Sequence, residues 1–379
     1  MSPASQSTTG LDQLIEDPAL LDSSRAGLLT HFAATTTGLE RGVDALLTAG
    51  IGLRCLISPE HGYWGTGQAG EGSNEKVDAA TGLPVLDSYR VHGADLDRLI
   101  AGSGIDRVVV DLRDIGCRFY TYIWSMAEVM DSCARLGLPV TVLDRPAPLS
   151  AAAVGPGLDP ACSSFVGRLG IPLRHGTRIG RIAEFIARSH LAGPLDLQVI
   201  TAPGADGTGP WVAPSPNMPT LTTVALYPGT GLLEGTTLSE GRGTTRPFEL
   251  IGAPWCGPEL AAHLRELALP GVAFREAVYR PTHSTFAGER VHGVQVHLAL
   301  DPQQAGDLRV FDPLRVGYTV IAAVRALYPG QRLWRERTDG RPPFIDLLWG
   351  SPAFREGIEE DAGYDEILAA SPTPLDVVA

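Results

Sequence analysis

The chain has 379 residues, room for two domains of ordinary size, and its 44% hydrophobic and 19% charged residues describe a globular protein with a large core. A formal net charge of −13 argues against nucleic acid and against an anionic membrane surface, and no stretch approaches the ~20 apolar residues of a membrane helix. Lys76 is the only lysine, which all but removes Schiff-base and phosphate-loop lysine chemistry.

The amino end, Met1 to Asp22, has neither the basic start nor the apolar segment of a signal peptide, so the chain is expected in the cytoplasm. Residues 1–24 read as a loosely held lead-in with one short helix. Ala26 to Phe32 is apolar enough for a first strand, and Leu39 to Ala49 carries apolar residues at helical spacing, with Gly50 as a stop. The run Leu53 to Ile57 predicts a buried strand that ends in Ser58-Pro59-Glu60-His61-Gly62-Tyr63-Trp64-Gly65. Proline and glycine break the run, which puts Glu60 and His61 on a loop past a strand's carboxyl end, where open α/β sheets bind ligands. A carboxylate, an imidazole and two aromatic rings there offer a proton donor, a switchable neighbour and flat faces for a sugar; the same residues also suit an ordinary strand-ending turn.

A glycine-rich loop follows from Gly65 to Gly82. Ala94 to Ala101 reads as a helix and Arg107 to Leu112 as a strand, β-branched from Val108 to Val110 as expected when both faces are covered. That strand delivers Asp111, Asp114, Arg118, Tyr120 and Tyr122. A helix over Thr121–Leu136, a strand over Pro139–Leu143 ending at Asp144, the cluster Arg174-His175-Gly176, a helix over Arg181–His190 and a strand over Leu195–Ile200 continue the alternation. A doubly wound parallel sheet is the simplest solution. Ala202 to Gly252 is dense in Gly, Pro and Thr and reads as a long functional loop holding Trp211, Glu234, Glu240, Arg242, Arg246 and Glu249. The remainder reads as α+β: helices at Pro258–Leu267 and Tyr318–Leu327, strands at Val272–Tyr279 and Gly293–Leu300. The expected division is 1–222 for the sheet domain and 223–379 for a smaller α+β domain that completes a cleft.

Gly65-Thr66-Gly67-Gln68-Ala69-Gly70 matches the dinucleotide pattern G-x-G-x-x-G, but no strand leads directly into it and no helix opens from it, so the glycines are expected to let a loop fold tightly over a pocket. His61, His175, His292 and His297 lack metal-ligand spacing, and the five scattered cysteines lack a C-x-x-C; neither a metal site nor a disulfide framework is expected. No G-x-S-x-G elbow occurs. The carboxylates are the better lead: Glu60, Asp111, Asp114 and Asp144 fall at predicted strand ends, with Glu234, Glu240 and Glu249 in the long loop, and paired carboxylates are the machinery of glycoside cleavage. Spacing does not say which pair meets. Arg118, Arg174, Arg242 and Arg246 suit a carboxylate on a substrate.

Several blocks then resemble a known family: Ser58-Pro59-Glu60-His61-Gly62, Asp114-Ile115-Gly116-Cys117-Arg118-Phe119-Tyr120-Thr121-Tyr122, Leu143-Asp144-Arg145-Pro146 and Arg174-His175-Gly176-Thr177. They are followed in order by Pro214 to Thr220, Glu234-Gly235-Thr236 and Ser239 to Glu249. From about Gly38 to about Gly350 the chain resembles the exo-β-N-acetylmuramidase (NamZ-like, DUF1343) family. That resemblance implies a Rossmann-like domain that binds no nucleotide, a smaller carboxyl-terminal domain, a cofactor-free active site between them, and release of N-acetylmuramic acid from the non-reducing ends of peptidoglycan-derived sugars, in cell-wall turnover or recycling. Glu60 matches the family's P-E-H-G glutamate and is the implied acid, with His61 tuning it; Asp111, Asp114, Glu240 or the substrate's own acetamido group remain open for the second role. The lactyl carboxylate of muramic acid would give the arginines a purpose; Tyr120, Tyr122, His175, Asn217 and Glu234 complete the expected binding set. The chain departs from the family at Ala147 and Thr237 (usually Asn), Arg113 (usually Gln) and Arg181 (usually Glu). A non-catalytic muropeptide binder and a nucleotide-dependent enzyme are the competing readings.

Overall fold

The computed structural model describes residues 9–149, 151–201, 210–302, 308 and 311–377. Six strands, β1 (Ala26–Thr30), β2 (Leu53–Ser58), β3 (Val85–Asp87), β4 (Arg107–Asp111), β5 (Val140–Leu143) and β6 (Leu197–Ile200), form one parallel sheet in the order β3-β2-β1-β4-β5-β6. The β-branched run at Val108–Val110 lies in the middle of this sheet and is fully buried, as strands covered on both faces must be. The strand order is the doubly wound one, whose switch point falls between β1 and β4.

Three further strands, β7 (Leu250–Ala253), β8 (Val272–Tyr279) and β9 (Val291–Leu298), make a smaller antiparallel sheet in the order β7-β9-β8. The helix Pro258–Glu266 packs on it, and Pro313–Leu327 packs against that helix. The expected architecture, a Rossmann-like parallel sheet with a smaller α+β part, is the one observed.

Three local expectations change. The lead-in helix Gly10–Glu16 is firmly seated: the Thr9 hydroxyl caps it by accepting from Asp12 N–H at 3.2 Å, Leu11 and Leu14 are buried, and Gly10 N–H donates to Asp144 O at 2.7 Å; residues 1–8 of that segment lie outside the described residues. The stretch expected as a loop from Ala202 to Gly252, of which 202–209 lie outside the described residues, contains the helix Leu221–Thr230 and strand β7. That helix carries Pro228 and Gly229, poor helix formers, yet Thr223 to Thr230 are all buried. Its reason is packing: a Cβ on Gly229 would sit 1.7 Å from Pro313 O, and one on Gly317 2.2 Å from Gly229 O, so two glycines let this helix cross Pro313–Leu327 at backbone contact. Third, the helix expected from Tyr318 begins at Pro313, where Asp312 caps it and proline occupies the first turn.

Arg118 ties the two parts together. It is fully buried; its Nη1 donates to Pro156 O, Gly157 O and Ile171 O at 2.7–3.0 Å, and its Nη2 to Leu348 O and Trp349 O at 3.2 and 2.6 Å. The last two belong to the helix Phe344–Trp349 near the carboxyl end. Replacing Arg118 by Leu would orphan five buried carbonyls and is expected to cost about 3–5 kcal/mol of unfolding free energy, read by urea denaturation; a loss below about 1 kcal/mol would contradict this anchoring role.

Candidate active site

Strand β2 ends at Ser58, and Pro59 starts the turn that carries the two residues singled out first. His61 and Gly62 both take positive φ, 72° and 74°, which folds the chain back over the strand end. Glu60 is buried to 5% exposure. Its Oε1 accepts from Gly70 N–H at 2.7 Å and from the Tyr89 hydroxyl at 3.2 Å, and its Oε2 accepts from the Thr121 hydroxyl at 2.6 Å. The His61 Nδ1 lies 3.0 Å from Gly67 O, a carbonyl that can only accept, so Nδ1–H donates and Nε2 is left as an acceptor. The glycine-rich loop therefore does fold over this pair, through Gly67 and Gly70. It follows β2 through a turn and opens no helix, so it does not have the context of a dinucleotide fingerprint.

Glu60 and His61 line a cavity of about 350 Å³. Across it stand Glu234, Glu240 and Arg242, delivered by the turn Gly231–Gly235 and the connection into β7. Arg242 sits between the two carboxylates: Nη2 donates to Glu234 Oε1 at 3.2 Å, Nε lies 3.3 Å from Glu240 Oε1, and the guanidinium stacks 4.9 Å from the Phe248 ring centre. Gly241 and Gly243 flank it at φ 82° and 78°; a Cβ on Gly241 would meet Leu250 O at 2.7 Å, so only glycine allows this sharp presentation of Arg242. Glu240 is buried, and its Oε2 has no hydrogen-bond partner among the described residues. Burial first, and the Glu234 carboxylate second, push the Glu240 carboxyl up from its ordinary value, with Arg242 opposing. Burial likewise holds His61 below the ordinary histidine value against the pull of Glu60, with Arg242 pressing the same way as burial.

Seven of the expected residues line this cavity: Glu60, His61, Tyr120, Asn217, Glu234, Glu240 and Arg242. The others do not, each for a visible reason. Asp111 is fully buried in an ion pair with Arg145, whose Nη2 donates to it at 2.9 Å while Nη1 donates to Thr35 O at 3.0 Å; the pair fills the β1/β4 switch point. Asp114 accepts from Gly116 N–H at 2.7 Å and lies 3.3 Å from His175 Nε2, on a separate, smaller cavity. Arg118 is the strut described above. Tyr122 is fully buried and donates to Pro214 O at 2.8 Å, and Arg174 is spent on Ala152 O at 2.8 Å. Arg246 is half-exposed beside Glu249. Nor do the rings of Tyr63 and Trp64 serve the cavity: Tyr63 is buried with its hydroxyl accepting from Arg41, and Trp64 lies under the same guanidinium.

The cavity's flat surfaces come instead from Phe119, Phe165, Tyr227 and Phe344, and further polar groups from Arg90, Thr121, Ser215, Ser284 and Arg335. Thr121 lies between Tyr120 and Tyr122 in a segment that resembles the family. Arg90, Phe165, Arg335 and Phe344 lie outside every such segment, and nothing in their local sequence marks them. Of the departures from the family pattern, Ala147 is absent from the cavity wall, Thr237 donates to Arg332 O at 2.6 Å, Arg181 pairs with Glu184 in solvent, and Arg113 lines the smaller cavity with its Nε on Ala33 O. Among the described residues no three His, Cys, Asp or Glu side chains are grouped so as to hold a metal, and no helix is long and apolar enough to cross a membrane.

The sequence model for the amino-terminal domain of exo-β-N-acetylmuramidase NamZ matches residues 26–222, and that for its carboxyl-terminal domain matches residues 225–376. The chain is 40% identical over 371 residues to the peptidoglycan β-N-acetylmuramidase NamZ of Bacillus subtilis strain 168, covering 95% of this chain and 86% of that one. Crystal structures of two DUF1343 family proteins from Bacteroides fragilis NCTC 9343 superpose with TM-scores of 0.81 and 0.73, at 29% and 28% identity. They cover 96% and 97% of this chain and 94% of each of those chains.

The lowered values of His61 and of His31, which burial, Arg113 and Arg145 depress further, set a pH dependence. Both rings fold in the neutral form, so their contribution to stability is complete above the unfolded value of about 6.5 and is lost as the pH falls from there towards the lowered folded values. Urea denaturation between pH 8 and pH 5 should show this loss, and His61→Asn, which tolerates the positive φ, should make the acid slope shallower; an unchanged slope would contradict a neutral, buried His61.

Proposed function

The chain belongs to the exo-β-N-acetylmuramidase NamZ family, and we propose that it is an exo-acting glycosidase releasing N-acetylmuramic acid from the non-reducing ends of peptidoglycan fragments of the MurNAc-GlcNAc type. The observation that carries this reading is the meeting of Glu60 with the Glu234–Arg242–Glu240 triad across one aromatic-walled cavity at the low end of the size range of small-ligand pockets. Acetal cleavage needs a proton for the leaving oxygen and a group that stabilises the anomeric centre.

We assign the proton to Glu60. An acid/base group must hold and release the same proton, so its partners must tolerate both states. The hydroxyls of Tyr89 and Thr121 donate to the carboxylate and can accept from the acid, whereas Gly70 N–H fixes Oε1 alone. Oε2 is therefore the oxygen that carries the proton. A neutral His61 beside it presents Nε2 as an acceptor and adds no charge to this wall of the cavity.

The second role goes to Glu240. Its unpartnered Oε2 is suited to accept the N–H of the sugar's acetamido group and so orient the acetamido oxygen towards the anomeric carbon, the substrate-assisted route some glycosidases use. Arg242 holds Glu234 and Glu240 in place. The lactyl carboxylate would be met by Arg90 and Arg335, cations on the cavity wall that touch no carboxylate among the described residues. Catalysis would draw on both segments, 1–222 and 223–379, and the expected setting is cytoplasmic recycling of cell-wall sugars.

The direct test is a chromogenic N-acetylmuramic acid glycoside beside its N-acetylglucosamine counterpart. Release from the first alone is expected; release from the second alone would contradict lactyl recognition, and release from neither would contradict the reaction. Glu60→Gln should lower kcat on the MurNAc-GlcNAc disaccharide by about 10²–10⁴-fold with the fold intact; full activity would contradict the assignment.

A further inference from the structure

The catalytic cavity adjoins a groove of about 1370 Å³, and the two share Arg90, Phe165, Arg335 and Phe344 as lining residues. Beyond these the groove is lined by Arg168, Arg337 and Arg341. Carboxylates do not balance them. Asp339 is shared by Arg337 and, at 3.8 Å, Arg341; Glu128, from behind, is shared by Arg168 and, at 2.8 Å, His92. Arg90 lies over the rings of Tyr89 and Phe165, and Arg335 donates to the Thr285 hydroxyl. Five arginines thus face two carboxylates, in a protein whose net charge is −13. A local reversal of sign against an acidic background focuses anions at that place.

The cavity's volume suits one sugar, whereas the groove exceeds the upper end of an ordinary small-ligand pocket. Phe165 and Phe344 offer flat faces at the junction, and the cations lie further out. Resting on the glycosidase reading above, we infer that this groove is the track for the leaving chain, and that Arg337 and Arg341 bind a carboxylate carried by the second N-acetylmuramic acid, one sugar beyond the leaving N-acetylglucosamine. The terminal lactyl group is met in the cavity; the groove reads the next anion of the polymer. Two sources share this chemistry: the free lactyl carboxylate and the carboxylates of a stem peptide attached to it.

The test compares kcat/KM on the peptide-free MurNAc-GlcNAc disaccharide, the peptide-free tetrasaccharide, a tetrasaccharide with a stem peptide on its second muramic acid, and the chromogenic monosaccharide. The wild-type chain should prefer a tetrasaccharide over the disaccharide by about tenfold. A double variant, Arg337→Ser with Arg341→Ser, should abolish that preference while leaving the chromogenic substrate unaffected, and raised salt should weaken the preference in the wild type. Preference for the peptide-free tetrasaccharide identifies the lactyl carboxylate; preference only for the peptide-bearing one identifies the stem. No preference in the wild type, or a preference that survives the double variant, would overturn the groove's role. Failure of the wild type on the chromogenic substrate would instead overturn the glycosidase reading.

Discussion

One buried guanidinium fixes the geometry on which the cavity depends. Arg118 has no carboxylate partner among the described residues: five backbone carbonyls from residues 156, 157, 171, 348 and 349 surround it, and burial depresses its pKa to about 10. Its own backbone is pinned as well, with N–H donating to Leu173 O at 2.7 Å and O accepting from the Trp124 indole at 2.7 Å. Phe119, Tyr120 and Thr121, which follow it directly, form one wall of the cavity, and Leu348, whose carbonyl it holds, contributes to another. A lysine could not replace it, because three donors on a flexible stem cannot span that many fixed acceptors. The distance between the Thr121 hydroxyl and Glu60 is thus set through a strut that touches no ligand.

The sheet's own binding place is reduced to the small cavity that Arg113, Asp114 and Arg145 line. In this strand order the ligand crevice lies at the β1/β4 switch point, and here Asp111 and Arg145 occupy it as a buried ion pair, beside a fully buried His31. The functional cavity sits instead beyond the end of β2, towards the smaller sheet. Glu60 is thereby placed opposite residues that come from sequence nearly 180 positions later. Electrostatics divides the two walls: a glutamate that accepts from two hydroxyls beside a neutral imidazole on one, a cation held between two carboxylates on the other.

Much of this was readable from residues alone. Proline and glycine after an apolar run put Glu60 and His61 at a strand end, and the alternation of apolar runs and helical spacings yielded five of the six parallel strands; the three-residue β3 is too short to signal itself. The helix Leu221–Thr230 was not readable, because Pro228 and Gly229 oppose a helix locally and burial, with backbone contact at Pro313 and Gly317, stabilises it. The same limit governs the site. Arg118 and Arg174 have the side chain an anion binder needs, but whether a guanidinium meets solvent or five carbonyls is decided by chain packing that no spacing encodes. Conversely, Arg90 and Arg335 carry no local signature; their position becomes visible only when the cavity wall is assembled. Family resemblance supplied the reaction, and geometry sorted which of the matched residues face it.

The central claim is that Glu60 supplies the proton to the leaving oxygen. It is tested most directly by measuring kcat/KM of Glu60→Gln on two substrates with the same N-acetylmuramic acid, one with a nitrophenyl leaving group and one with N-acetylglucosamine. Nitrophenolate departs without protonation, whereas a sugar alcohol does not. The account predicts a loss of about 10²–10⁴-fold on the disaccharide and a much smaller loss on the nitrophenyl glycoside. Equal losses on both would contradict it and would move Glu60 to a role in binding or in stabilising the anomeric centre.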